Sequence, residues 1–426
     1  MGDQMEPLPG AARPRRRGLA ALVISAGLAI STVACGLSTQ KSDVESGVGC
    51  RVPGVATGQV NIGMIYPNSG SAADLFAPYR AGVDARLGVE NAAGGVYGRK
   101  ISYSWADDES DLNSNLAAAR TLVNSGNVFG LIEATTDATG SAAWLHDRDV
   151  PVVGTALEAV WSQYDNMFSY ANFIKRGQSV TTWGDFVKAR GGTRVAVLYS
   201  PLNDTSRIFR DKFVQSMQAA GLSVGVPIPA NPTSVDYAAV VAEIKAQHAD
   251  ALVGGMDPQT FITAAVRAQL AGAHLKTIVT TDGYDQRVID QAGRYLAGTL
   301  AVSLGSSPFE ENLPADREFL RAMAEYAPQI QPQKTEIGLE GWIAADLLIR
   351  GLNAAGPCPT RAGFVRALRA VKDYNAGGLL PKPVDLAEVF GKQNRCFTFV
   401  QITQSGTGWQ VMPPAPRCGT VLGGSS

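Results

Sequence analysis

The chain has 426 residues, with 37 basic against 38 acidic side chains; 18% are charged and 45% hydrophobic. That length suits two or three domains and a sizeable core. The balance excludes chain-wide disorder and gives no basic face of the kind a nucleic-acid partner favours.

The N-terminus reads as an export signal. Arg13, Arg15, Arg16 and Arg17 form a basic region, and Gly18 to Val33 an apolar one, short for a membrane span. The signal ends in Thr32-Val33-Ala34-Cys35-Gly36, which resembles a bacterial lipobox, although leucine is more usual where Thr32 stands. That motif implies a signal peptide over 1–35, lipidation of Cys35, and anchoring at the outer face of the cytoplasmic membrane. The alternative is an ordinary cleaved signal peptide. Residues 36–57, with their Ser, Gly and charge, read as a flexible tether.

From Gln59 onward strand and helix patterns alternate. Val60–Tyr66 is a short apolar run, the pattern of a strand buried on both faces. Pro67 to Ser71 break it with turn residues, and a helix is expected over Pro78–Asn91. Further strands are expected at Ile101–Ala106, Val128–Glu133, Val150–Val153, Arg194–Tyr199, Ser223–Ile228, Ala251–Gly254, Thr277–Thr281 and Gly298–Leu304. The helices between them are expected at Leu112–Asn124, Gly140–Arg148, Gly177–Lys188, Ser206–Ala220, Tyr237–Gln247 and Thr260–Ala271. Three more follow, Asp316–Tyr326, Gly338–Ala354 and Thr360–Val371, before a closing hairpin of Phe397–Ile402 and Trp409–Met412. Such alternation predicts parallel sheets with right-handed crossovers. So many strands would overfill one twisted sheet, so two α/β lobes are expected.

Apart from Cys35 the chain has four cysteines, and an even number in an exported chain suggests disulfides, with three possible connectivities. Extending the hairpin register brings Cys396 near Cys418, which leaves Cys50 with Cys358. Free thiols are the alternative. No C-x-x-C spacing suggests a structural zinc.

No G-x-x-x-x-G-K-[ST] loop and no G-x-G-x-x-G after the first strand is present, so no cofactor is expected. The three histidines, His146, His248 and His274, read as structural. What recurs is a strand exit bearing small polar groups: Asn68, Ser69 and Ser71; Thr135 and Thr136; Thr155; Asn203 and Asp204; Met256 and Asp257; Asp282. In open α/β sheets ligands bind where such loops leave the strands. Hydroxyls and helix-start N–H groups suit a carboxylate, and an acid such as Asp282 suits an ammonium. Each loop alone is explained by turns and caps; their accumulation points to one cleft. Phe76 and Tyr79 are placed to wall it.

The chain resembles the type I periplasmic (solute) binding proteins of ABC transporters, in the Leu/Ile/Val-binding-protein-like branch, as an actinobacterial-type lipoprotein. The residues that carry the likeness are Val60-Asn61-Ile62-Gly63, Asn68-Ser69-Gly70, Gly82 and the run Asn91 to Lys100. Asp107-Asp108, Pro151, Val195 to Tyr199 and Tyr374 to Leu379 also fit. The resemblance implies two Rossmann-like lobes joined by three crossover strands: 58–169 with 306–372, and 170–305 with 373–411, before a tail over 412–426. It implies a monomeric, non-enzymatic receptor that captures a small amino-acid-like or amide ligand and delivers it to an ABC permease. Ser69, Thr135, Thr136 and the backbone at Thr155 would hold a carboxylate. Asn203 or Asp204, Met256 or Asp257, and Asp282 would meet the rest, Asp282 taking an amino group. Two departures argue for an altered ligand: Asp137 brings negative charge beside the carboxylate site, and Met256-Asp257 replaces an expected tyrosine. The rival readings are a ligand sensor of the same fold and a secreted hydrolase using His146 or Asp282.

Overall fold

The computed structural model of the protein describes Cys50 and residues 52–423. The export signal and Cys35 lie outside the described residues.

The first lobe is built on β1, Gln59–Tyr66, whose Ile62, Met64 and Ile65 are fully buried, as a strand covered on both faces requires. On one side β1 pairs in parallel with β2, Lys100–Asp107. On the other side come β3 (Leu131–Glu133), β4 (Val152–Gly154) and β5 (Met167–Phe168), also parallel. Strand order therefore reverses at β1, which opens a crevice between the loops that follow β1 and β3. Helices α1 (Ala73–Ala92), α2 (Leu112–Arg120) and α3 (Ala142–His146) cover the sheet. Helix α1 starts before the expected Pro78, which sits inside it. One lost backbone bond is tolerated because Phe76 and Tyr79, on either side of Pro78, are both buried.

The second lobe runs parallel through β6 (Arg194–Tyr199), β7 (Ala251–Gly254), β8 (Thr277–Thr280) and β9 (Leu300–Leu304). Antiparallel β10 (Cys396–Ile402) and β11 (Trp409–Cys418) close one edge. The expected strand Ser223–Ile228 splits into Ser223–Val224 and Ile228–Pro229, each paired with a different end of β6. The expected helix Gly177–Lys188 instead opens as strand Gln178–Val180, and only then becomes α4 (Thr182–Ala189). Helices α5 (Asp204–Ala219), α6 (Tyr237–Ala246), α7 (Pro258–Leu270) and α8 (Gln286–Leu296) follow. Helix α8 was not expected; its narrow apolar stripe of Ile289, Ala292 and Leu296 is interleaved with charged residues. Within the expected tail, residues 412–418 and 421–423 form strands. β11 continues to Cys418, and Val421–Gly423 pairs with Gln178–Val180, so backbone hydrogen bonds hold this stretch in sheets.

Three crossover segments join the lobes, between β5 and Gln178, between β9 and α9 (Pro314–Tyr326), and between α11 (Arg361–Arg369) and β10. Asn172 of the first forms parallel bridges with Ala156 and with Gln393 of the third. Helix α10 (Glu336–Ala355) returns to the first lobe and packs on α1. The contact is backbone to backbone: a Cβ on Gly82 would lie 1.8 Å from the Gly338 carbonyl oxygen, and one on Gly341 2.0 Å from that of Tyr79. Only glycine permits this approach. It sets Tyr79 of α1 beside the Glu336–Glu340 face of α10. Disulfides Cys50–Cys358 and Cys396–Cys418 form as the hairpin register predicts.

Candidate functional site

A cavity of about 570 Å³ lies between the lobes, where the C-terminal ends of both sheets face each other. That is within the roughly 300–1,000 Å³ of small-molecule sites. The lobes meet across it: the Thr205 hydroxyl, at the start of α5, donates to the Leu157 carbonyl at 2.8 Å.

The loop after β1 reaches this cavity through Ser71, not Ser69. Ser69 is exposed, and its N–H donates to Asp107 Oδ1 at 3.2 Å; the Asn68 N–H donates to the same oxygen at 2.9 Å. The amides expected to grip a ligand carboxylate are thus committed to the neighbouring strand end. Phe76 and Tyr79, each 1% exposed, wall the cavity from α1.

After β3, Thr135 is buried and its hydroxyl accepts the Asp137 N–H at 3.0 Å, a local turn bond that keeps it out of the cavity wall. Thr136 and Asp137 do line the cavity, with the Thr136 hydroxyl donating to Asp137 at 3.1 Å. After β4, the Thr155 hydroxyl donates to Glu340 Oε2 at 3.1 Å, and Tyr170 donates to Oε1 at 2.6 Å.

The second lobe brings Asn203, Asp204, Met256, Asp257 and Asp282 to the opposite wall. Asn203 and Asp257 also cap α5 and α7, accepting N–H bonds from Ser206 and Thr260. Asp204 pairs with Arg176 and Arg207. Asp282 accepts the Thr281 hydroxyl at 2.7 Å. So eight of the ten expected site residues meet in one cleft, and Ser69 and Thr135 do not. None of the three histidines lines it.

Glu336 and Glu340, which belong to no strand exit, also line the cavity from α10. Their signal is legible: two acids four residues apart, on one face of the mostly apolar first half of the helix. Glu340 is 8% exposed. Burial pushes its carboxyl up to about 7, against the hydrogen bonds from Tyr170 and Thr155, and nearby Asp282 adds to the rise. Burial and Asp257 push Asp282 up to about 6. Burial, then Asp282 and Glu340, push Glu336 well above the usual carboxylate range. Among the described residues no group of side chains is arranged to hold a metal.

The comparisons agree with this architecture. A family model described as periplasmic binding protein matches residues 59–407. The Leu/Ile/Val-binding protein homolog 3 of Brucella melitensis is 24% identical over 205 residues, 47% of this chain and 55% of that one. The match therefore spans about half the length of that relative. A fatty acid ABC transporter substrate-binding protein from Thermomonospora curvata superposes with a TM-score of 0.71 at 16% identity, covering 87% of this chain and 94% of that one. A leucine-binding protein from Thermotoga maritima gives 0.68 at 16% identity, covering 85% and 98%. A branched-chain amino acid transporter substrate-binding protein from Streptococcus pneumoniae, solved with isoleucine, gives 0.67 at 17%, covering 84% and 100%. At these identities the structural likeness is one of fold.

Proposed function

The chain belongs to the periplasmic binding protein family, and from that premise we propose that it is an extracytoplasmic receptor that captures a small amino-acid-like or amide solute and delivers it to an ABC importer. The observation that carries this reading is the interlobe cavity, with polar groups converging on it from both lobes. A ligand held by both walls favours the closed arrangement, because its contacts with the far wall exist only there. We take the lobes as 58–169 with 306–372 and 170–305 with 373–411. The receptor works as a monomer, anchored through a lipid on Cys35 and tethered to the outer face of the cytoplasmic membrane. No described helix is long and apolar enough to cross a membrane.

A thermal-shift screen of amino acids, amides, amines, urea and short aliphatic acids tests the receptor role, since a ligand of the folded form raises the melting temperature. One chemical class is expected to do so in a saturable way. Mass spectrometry of the mature protein tests the anchor: an unlipidated N-terminus at another residue would remove it.

A further inference from the structure

Resting on that receptor reading, we propose that the solute is a cation with an apolar body, an amine or guanidinium without a carboxylate, held between Glu336 and Glu340 of one lobe and Asp282 of the other. The cavity marks the site, and the charge on its walls names the ligand class.

Seven carboxylates line the cavity, those of Asp137, Glu158, Asp204, Asp257, Asp282, Glu336 and Glu340, against the two guanidiniums of Arg176 and Arg207. Both guanidiniums are engaged by one carboxylate, that of Asp204. Asp257 is occupied as the cap of α7, Glu158 accepts the N–H and hydroxyl of Thr139, and Asp137 accepts from Thr136. Asp282, Glu336 and Glu340 remain, close enough for each to raise the others' proton affinity or have its own raised. Among the described residues no cationic side chain pairs with any of the three. Asp282 accepts one hydroxyl through Oδ2, and Glu336 one long backbone bond through Oε2, so each has a second oxygen with no described donor.

These groups come from opposite lobes. Bringing the lobes together inside a shielded cavity costs these carboxyls either mutual repulsion or the uptake of protons. A positive group between them reverses that cost only in the closed state, which is the differential contact a closing ligand must supply. A carboxylate there would add to the repulsion. Three donors of the first lobe's strand exits are committed elsewhere: the Asn68 and Ser69 N–H groups to Asp107, the Thr155 hydroxyl to Glu340. The rest of the wall supplies apolar contact through Leu75, Phe76, Leu157, Phe173 and Ile337.

The test is calorimetric titration of the full chain with five probes that share one branched skeleton: 3-methylbutylamine, 3-methylbutylguanidine, leucine, 4-methylpentanamide and 4-methylpentanoate. The amine or the guanidine is expected to bind at least about tenfold more tightly than the other three. Glu336→Gln and Asp282→Asn are each expected to weaken it about tenfold or more, as loss of a shielded charge partner does. Where a variant fails to fold, the ranking of the five probes on the unaltered protein decides. Leucine, amide or acid binding as tightly as the cations overturns the cation assignment and leaves the receptor reading standing. Saturable binding by none of the five also overturns the assignment. Conversion of a probe into a product overturns the receptor reading itself.

Discussion

The Thr155 hydroxyl donates to Glu340 Oε2 at 3.1 Å, tying the end of strand β4 to the second turn of helix α10. The other oxygen of the same carboxyl accepts from Tyr170 at 2.6 Å, and Tyr170 belongs to the first crossover segment. Sheet, helix and crossover thus meet at one carboxyl on the cavity wall. Tyr170→Phe removes a donor from this buried group. It is expected to lower the unfolding free energy by about 1.5–3 kcal/mol, the worth of a hydrogen bond to a charged partner, read from urea denaturation.

The free protein is expected to lose stability as pH rises from about 5 to 7. Burial raises the folded-state proton affinity of Asp282 to about 6 and of Glu158 and Glu340 to about 7, and raises Glu336 as well. The unfolded values lie near 4, so the folded state binds more protons across this window. The contribution is complete below the unfolded values and fades as pH passes the folded ones. The charged neighbours Asp137, Asp257 and Asp285 add to the rise that burial sets. Asp282→Asn is expected to flatten the slope by up to about 1.4 kcal/mol per pH unit, measured as urea midpoints at several pH values.

Lys212 predicts the opposite sign at higher pH. Its ammonium group is buried beside the crossovers, where Nζ donates to the Gln178 carbonyl at 2.6 Å and to Gln393 Oε1 at 2.5 Å. Burial lowers it from 10.5 to about 7. The unfolded state therefore binds more protons above about 7, and stability from this group rises with pH until about 10. Lys212→Met is expected to abolish that rise between pH 7.5 and 9.5 by roughly 1 kcal/mol or more. An unchanged rise would show that another group causes it.

Gly82→Ala places a methyl 1.8 Å from the Gly338 carbonyl oxygen, with backbone rather than a flexible side chain in the way. Helices α1 and α10 must separate. A loss of about 1–3 kcal/mol is expected, together with weaker ligand binding, because Tyr79 and Glu340 ride on those two helices. A variant as stable as the parent would show that the helix contact is looser than described.

Much of this was legible in the sequence. The apolar run ending at Tyr66, the polar strand exits and the hairpin register that pairs Cys396 with Cys418 all follow from periodicity and turn chemistry. Two expected contacts lie off the cavity for related reasons. Ser69 has the residue type of a ligand contact, but its N–H bonds to Asp107, distant in sequence, and Thr135 satisfies its own turn. Pattern reports what a side chain can do; competing partners, which only the fold brings near, decide what it does. Glu336 and Glu340 stand in a helix whose apolar positions read as core, and only the fold shows that these acids face the cavity between the lobes. Helix α8 was missed because its buried stripe is narrow.

The receptor reading is tested most directly by titrating the first ligand found into the full chain, then recovering that ligand and identifying it by mass spectrometry. One molecule bound per chain, recovered unmodified, with affinity falling more than about tenfold in Asp282→Ala, is the expected result. Recovery of a chemically altered molecule, or binding that Asp282→Ala leaves untouched, would contradict capture of the solute in this cleft.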